Sequence, residues 1–235
     1  MFRNIIILLS VIFSFSVHAY RVEPMVAEME PLGKRSQLTM RIDNTSNQPL
    51  TVELIPKSMT MDEMGNETTQ PADDELLIIP VTATIEPGRS QVVMLRYFGD
   101  PSISESKAYR VTVQQVHVER ASGADATNVG LLLEFNTLIN VKPKNAKPNL
   151  KVTNIKPNGK NWLVEIANTG ASYARVNETN WRISDSSNNS IYKGSEIGKL
   201  VEGSLVLPKS KRNFVMKPLK GFDVNSLSID IEPLE

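Results

Sequence analysis

Side chains able to carry acid–base or nucleophilic chemistry are scarce in this sequence. It has two histidines, His18 and His117, and no cysteine. His117 lies in the run Val-Gln-Gln-Val-His-Val-Glu, flanked by Val116 and Val118. A catalytic histidine needs a partner that orients it, and no residue at a recognisable spacing offers one, so His117 is read as a strand-surface residue. Asp73, Asp74 and Glu75 form an acidic run with no second group of oxygen ligands, which fits a solvated loop better than a metal site. None of the GxSxG, HExxH, GxxxxGK or GxGxxG patterns occurs. Without cysteine there is no disulfide framework, thiolate nucleophile, iron–sulfur cluster or cysteine-based zinc site. The 26 basic and 26 acidic residues give a pI near 6.8, whereas phosphate contacts call for a basic surface. The expectation is a protein that is not an enzyme, has no cofactor or metal and does not bind nucleic acid.

What remains is pattern. Residues 1–19 read MFRNIIILLSVIFSFSVHA: one charge, Arg3, then 13 apolar-rich residues from Ile5 to Val17, then Val17-His18-Ala19 as a small-x-small cleavage site. That stretch is too short to cross a hydrocarbon core of about 30 Å and has the layout of a secretory signal. No later apolar run of about 18 residues follows, so a mature chain from Tyr20 without an integral membrane segment is expected. Export without cysteine suits a bacterial periplasm or surface, with stability resting on hydrophobic burial.

Beyond residue 20, strand signals dominate. Residues 38–42 and 50–55 alternate apolar and polar side chains, with Asn44-Thr45-Ser46-Asn47 supplying turn chemistry between them. Further strand signals cover residues 76–79, 91–97, 109–118 and 129–141. They recur at about 8–12 residues with no convincing helix pattern, which predicts an all-β sandwich. Residues 143–148, with two prolines, read as a linker. The β pattern then restarts at 150–155, 162–167, 175–183, 205–207, 213–216 and 227–231. Two domains are expected, 20–144 and 148–235. Residues 20–147 carry 13 basic and 17 acidic side chains, and residues 148–235 carry 12 and 9, a net −4 joined to a net +3. Ordinary surface variation explains that division.

Residues 129–141 stand apart. Val129, Leu131, Leu133, Phe135, Thr137, Ile139 and Val141 fall on one face of a strand, and six of these seven are large and apolar. Thirteen residues extend about 43 Å, more than a small sandwich needs. One reading is a long core strand. The other is an edge strand whose N-terminal half serves another chain, since an exposed apolar edge is an aggregation hazard that needs a reason to exist. Lending a strand to an incomplete partner sheet is such a reason.

Three segments, IEPGRSQVVMLRYFGDP, AYRVTVQQV and the long strand closing in VKP, together with the exported two-domain β layout, resemble the periplasmic chaperones of the chaperone–usher pilus pathway. The opening YRVEPMVAEMEPLGKRSQLTMRIDNTSNQPLTVEL and the segment DEMGNET look most like its non-classical, archaic branch. The resemblance covers the mature chain, is most specific over residues 85–118, and is looser in the C-terminal domain through LVEIANTG and LVLPKSKRNF. It implies two immunoglobulin-like β-sandwich domains set in an L or boomerang. It implies as partners the pilus subunits, whose immunoglobulin-like domains lack a final strand, and an outer-membrane usher that accepts the complex. The donor residues it implies are Val129, Leu131, Leu133 and Phe135, acting in the periplasm. Self-association of the free chaperone would mask the same strand.

The main branch of that family holds the subunit's C-terminal carboxylate with an Arg near the N terminus and a Lys five residues before the closing Pro. Counting back from Pro143 gives Leu138, which carries no charge. Candidate replacements are Arg21, Arg96, Arg110 and Lys142, each of which also reads as a solvated strand charge. The rival to a chaperone is a structural or adhesive immunoglobulin-like surface or pilus protein, since fold alone does not settle function.

Overall fold

The computed structural model describes residues 20–116 and 132–233. His117, Val129, Leu131 and the signal segment lie outside the described residues. Among the described residues, the first half of the chain forms ten strands: β1 (Tyr20–Glu23), β2 (Val26–Met29), β3 (Gln37–Asn44), β4 (Leu50–Met61), β5 (Glu67–Pro71), β6 (Leu76–Ile79), β7 (Thr82–Ile85), β8 (Ser90–Tyr97), β9 (Lys107–Gln115) and β10 (Glu134–Val141). One sheet runs β1-β3-β8-β6. The other runs β2-β10-β9-β4-β5, with β7 also on β4.

The alternation of the sequence becomes the core between these sheets. Met40 and Ile42 of β3 and Val93 and Leu95 of β8 meet Val52 and Leu54 of β4, Val111 and Val113 of β9, and Ile139 and Val141 of β10. All ten are fully buried. Their period of two puts the intervening residues on the outer faces.

The segment after Tyr20 supplies strands to both sheets. β1 pairs antiparallel with β3, and β2 pairs parallel with β10. Pro24 separates them, and a residue without an N–H suits the point where a chain leaves one ladder for another.

The second half contains β11 (Leu150–Asn158), β12 (Asn161–Asn168), β13 (Ala174–Arg175), β14 (Thr179–Ser184), β15 (Asn189–Tyr192), β16 (Leu205–Val206), β17 (Ser210–Met216) and β18 (Ser228–Pro233). Its sheets run β11-β12-β17 and β15-β14-β18, with β13 and β16 as a separate pair. Trp181, Ile183, Val164, Ile166 and Phe214 fill the core between them. The expected strand over residues 175–183 is broken by a 3-10 turn, Val176–Glu178. One α-helix, α1 (Gly194–Leu200), has no counterpart in the sequence reading. Seven residues are too few to show a period of 3.6, and only Gly194 and Ile197 are buried. Glu196 closes its first turn by accepting from the Lys193 amide at 2.9 Å. A Cβ on Gly194 would lie 2.2 Å from the Asn177 carbonyl oxygen, so only glycine fits that approach.

The two halves meet at a packed seam. Met59, Ala108, Leu138 and Leu205 are buried together, with Met61, Tyr173 and Leu207 against them. Hydrogen bonds join the halves beside it: the Ser106 amide donates to the Ala171 carbonyl at 2.8 Å, and the Tyr173 amide donates to Ser106 Oγ at 2.7 Å. Among the described residues no helix is long and apolar enough to cross a membrane.

Candidate binding edge

β10 has one edge against β9 along its whole length, from Glu134 opposite Gln114 to Val141 opposite Lys107. Its other edge is divided. β2 covers only Leu138, Ile139, Asn140 and Val141. On that side the Leu138 amide donates to the Met25 carbonyl at 2.9 Å, and the Lys142 amide donates to the Met29 carbonyl at 2.8 Å. On the β9 side, the Gln115 amide donates to the Leu133 carbonyl at 3.2 Å. The two-residue repeat of an antiparallel ladder therefore turns the main-chain groups of Glu134 and Asn136 toward the side where β2 is missing. Residues 134–137 thus form an edge with no strand paired to it among the described residues. The long strand expected over residues 129–141 is described as a strand only from Glu134 onward.

The side chains of this half divide by face. Leu133 and Phe135 are half-buried against the N-terminal core. The Phe135 ring meets Tyr20 edge-on, with centroids 4.8 Å apart and planes at 71°. The Tyr20 hydroxyl lies 2.8 Å from the Leu133 carbonyl and 3.0 Å from the Val113 carbonyl, so it ties the start of β10 to β9. Burial, and then the Glu134 charge, push the Tyr20 phenol up to about 12. Leu132 is 57% exposed. On the opposite face Glu134 and Asn136 are exposed and bonded to each other at 2.7 Å, and the Thr112 hydroxyl donates to Asn136 Oδ1 at 2.7 Å. Farther along that face Leu138 and Asn140 are buried at the seam.

The four candidate cations separate in space. Arg110, on β9, is the cross-strand partner of Leu138 and also of Lys57 on β4. Its guanidinium forks onto Glu67, with Nε donating to Oε2 at 2.9 Å and Nη2 to Oε1, while Nη1 lies 3.4 Å from the Asn136 carbonyl oxygen. The charge absent at Leu138 is therefore present one strand over, beside the open edge. Lys142 follows β10 and donates to Glu28 at 3.2 Å, and Glu28 also accepts from the Tyr173 hydroxyl at 2.8 Å. Burial and that neighbouring carboxylate push the Tyr173 phenol up. Lys142, Glu28 and Tyr173 border a cavity of about 310 Å³ between the halves.

Arg96 and Arg21 lie on the other sheet. Arg96 is exposed on β8, opposite Gln37 and Leu77, between the buried Leu95 and Tyr97. Arg21 is on β1 and donates to Asp43 at 2.9 Å. Both therefore lie on the sheet that does not contain β10. Alternation tells which side of a strand a residue takes, not which sheet the strand joins. The acidic run is partly engaged: Glu75 accepts from Lys107 and, at 2.6 Å, from the Tyr109 hydroxyl. Burial alone would raise the Glu75 carboxyl, but these two donors outweigh it and hold it low.

Two contributors to this edge had no local signal. Tyr20 reaches Phe135 across 115 positions, and β2, which ends the open segment, pairs in parallel after a long connection.

Solved structures share this fold. A class 5 fimbriae chaperone, CfaA, is similar at 17% identity and a TM-score of 0.57 over 92% of this chain and 100% of its own. The chaperone-tip adhesin subunit pre-assembly complex CsuC–CsuE, from archaic chaperone-usher Csu pili of Acinetobacter baumannii, matches at 13% identity and a TM-score of 0.55, over 83% of this chain and 89% of that one. A complex of Salmonella enterica SafA pilin with the SafB chaperone matches at 14% identity and 0.57, over 85% of each chain. This chain has the fimbrial-chaperone fold. No protein-family model matches the sequence, and no curated protein matches it significantly. The two-domain all-β expectation agrees with the fold of these neighbours.

Proposed function

We propose that the chain is a periplasmic chaperone that captures fimbrial subunits by lending them the free edge of β10, then passes them to an outer-membrane usher. The observation that carries this reading is the divided edge. Among the described residues no strand pairs with the outer edge of residues 134–137, and they continue the apolar alternation that begins at Val129. A partner sheet missing one strand would find there both a ladder and a row of apolar side chains.

Val129, Leu131, Leu133 and Phe135 are the donor residues in this reading. Fully burying four such side chains contributes a gross of roughly 6–12 kcal/mol, before the costs of association. Leu133 and Phe135 are already half-buried against their own core, so each has only part of its surface left to bury against a partner. Arg110 is the favoured anchor for a terminal carboxylate because its planar fork stands beside β10. Lys142 is the second candidate, at the far end of the strand. Residues 1–19 act as the export signal. The reading assigns no catalytic step.

Co-expression with fimbrial subunits of the same source tests it. The wild-type chain is expected to yield a stoichiometric soluble complex, and Leu131→Glu with Leu133→Glu to yield none, because charges would enter an apolar groove. Normal recovery with that double variant would overturn the donor-strand assignment.

A further inference from the structure

Arg110 is not waiting empty. Its guanidinium is held by the carboxylate of Glu67 in a two-point fork, the geometry that a chain-terminal carboxylate also takes up on an arginine. Glu67 is the first residue of β5, and its own ladder partner is Met61 on β4. Arg110 lies one strand beyond, on β9, opposite Lys57. Glu67 therefore reaches across β4 to Arg110. Lys57, on the strand it crosses, forms no ion pair among the described residues.

The turn that presents Glu67 is pinned. Asp62 accepts from the Met64 amide at 2.9 Å, from the Asn66 amide at 2.8 Å and from Asn66 Nδ2 at 2.8 Å, and these bonds, those from Asn66 first, hold its carboxyl below the usual range. The Glu63 carbonyl accepts from the Asn213 amide on β17 at 2.6 Å. Gly65, at φ +90°, is so close to the second domain that a Cβ there would lie 2.6 Å from Arg212 Nη2. The Arg212 guanidinium stacks over Phe214 at 4.8 Å and donates to the Leu205 carbonyl. Glu67 is thus positioned by its own turn and by the neighbouring domain.

We infer that Glu67 is a resident stand-in for the incoming carboxylate, so that a chain terminus binding Arg110 must first displace it. This rests on the reading of Arg110 as the anchor. A pinned competitor raises the threshold for capture: weak, single carboxylates are turned away, and a ligand is held only when strand pairing along β10 adds to the exchange at Arg110. The ion pair is partly solvent-facing, so the threshold is modest and reversible.

The test uses the purified chain with acetate as the carboxylate probe and acetamide as the uncharged control, at constant ionic strength. Binding is read from the Arg110 Nε–H resonance by NMR, assigned by its loss in Arg110→Ala. Glu67→Gln is expected to bind acetate about fivefold more tightly than wild type, the size set by a surface ion pair. Glu67→Asp, which keeps the charge but shortens the reach, is expected to fall between them. Acetamide is expected to leave the resonance unmoved in every variant. Equal acetate affinity in wild type, Glu67→Gln and Glu67→Asp, with Arg110 responding, would overturn the stand-in and leave the anchor in place. No acetate response at Arg110 in any variant would overturn the anchor itself, and the stand-in with it.

Discussion

The two halves of β10 are made from one alternating sequence and meet different surroundings. Leu138, Ile139, Asn140 and Val141 have strands on both edges and are buried on both faces. Among the described residues, 134–137 have a strand on one edge only, and Glu134 and Asn136 face solvent. The inward face, by contrast, continues through both halves, broken only by the buried Thr137, whose hydroxyl donates to the Val111 carbonyl. A single strand can thus be structural at one end and available at the other, and the divide is set by where β2 stops.

That contrast can be broken by substitution. Ile139→Ala, on the enclosed half, is expected to cost about 2–5 kcal/mol in urea unfolding. Phe135→Ala, on the half-open side, is expected to cost about 1.5–3 kcal/mol, because only part of the ring and its contact with Tyr20 is lost. Equal losses at the two positions would mean that the open half is as enclosed as the other. Tyr20→Phe removes one hydroxyl bond and is expected to cost about 1 kcal/mol. Asn136→Ala is expected to stay within about 0.5 kcal/mol.

Amide exchange sharpens the same comparison. The Leu138 amide, bonded to Met25, is expected to exchange far more slowly than the Asn136 amide two residues earlier. Comparable rates would show that the edge over residues 134–137 is protected.

Alkaline pH offers a third measurement at that edge. The Tyr20 phenol is raised from 10.0 to about 12 in the folded chain. A group with a raised folded value stabilises the fold fully below its unfolded value, and that contribution is lost as pH rises through the folded one. Stability is therefore expected to fall between about pH 10 and pH 12, and Tyr20→Phe to reduce the fall, followed by ultraviolet phenolate titration alongside unfolding.

Alternation was enough to identify β3, β4, β8, β9 and β10 of the first core, since apolar residues at a period of two must share a face whatever they pack against; it did not show the short strands β1, β2 and β7, which add Tyr20, Val22, Met29 and Ile85 to that core. The same rule exposed residues 129–141 as a single apolar face. It could not separate Arg110 from Arg96, because each simply takes the polar side of a strand. Only the pairing of β9 with β10, and of β8 with β3 and β6, distinguishes them. Nor could it find Glu67, whose ion pair crosses a strand and joins residues 43 positions apart. The helix Gly194–Leu200 escaped for a different reason, being too short for its period to register.

By itself, the sequence determined which faces are apolar, where turns interrupt them, and that catalytic and metal-binding chemistry has little to work with. Local propensity and side-chain periodicity act within a few residues, so these features are written in the order of the residues. Tertiary structure alone decided which strands become neighbours, where β2 leaves β10 uncovered, and which cation stands beside that opening. Those depend on pairings between residues far apart in the chain, from Arg110 with Leu138 to Val26 with Leu138, made only when both sheets close on a common core.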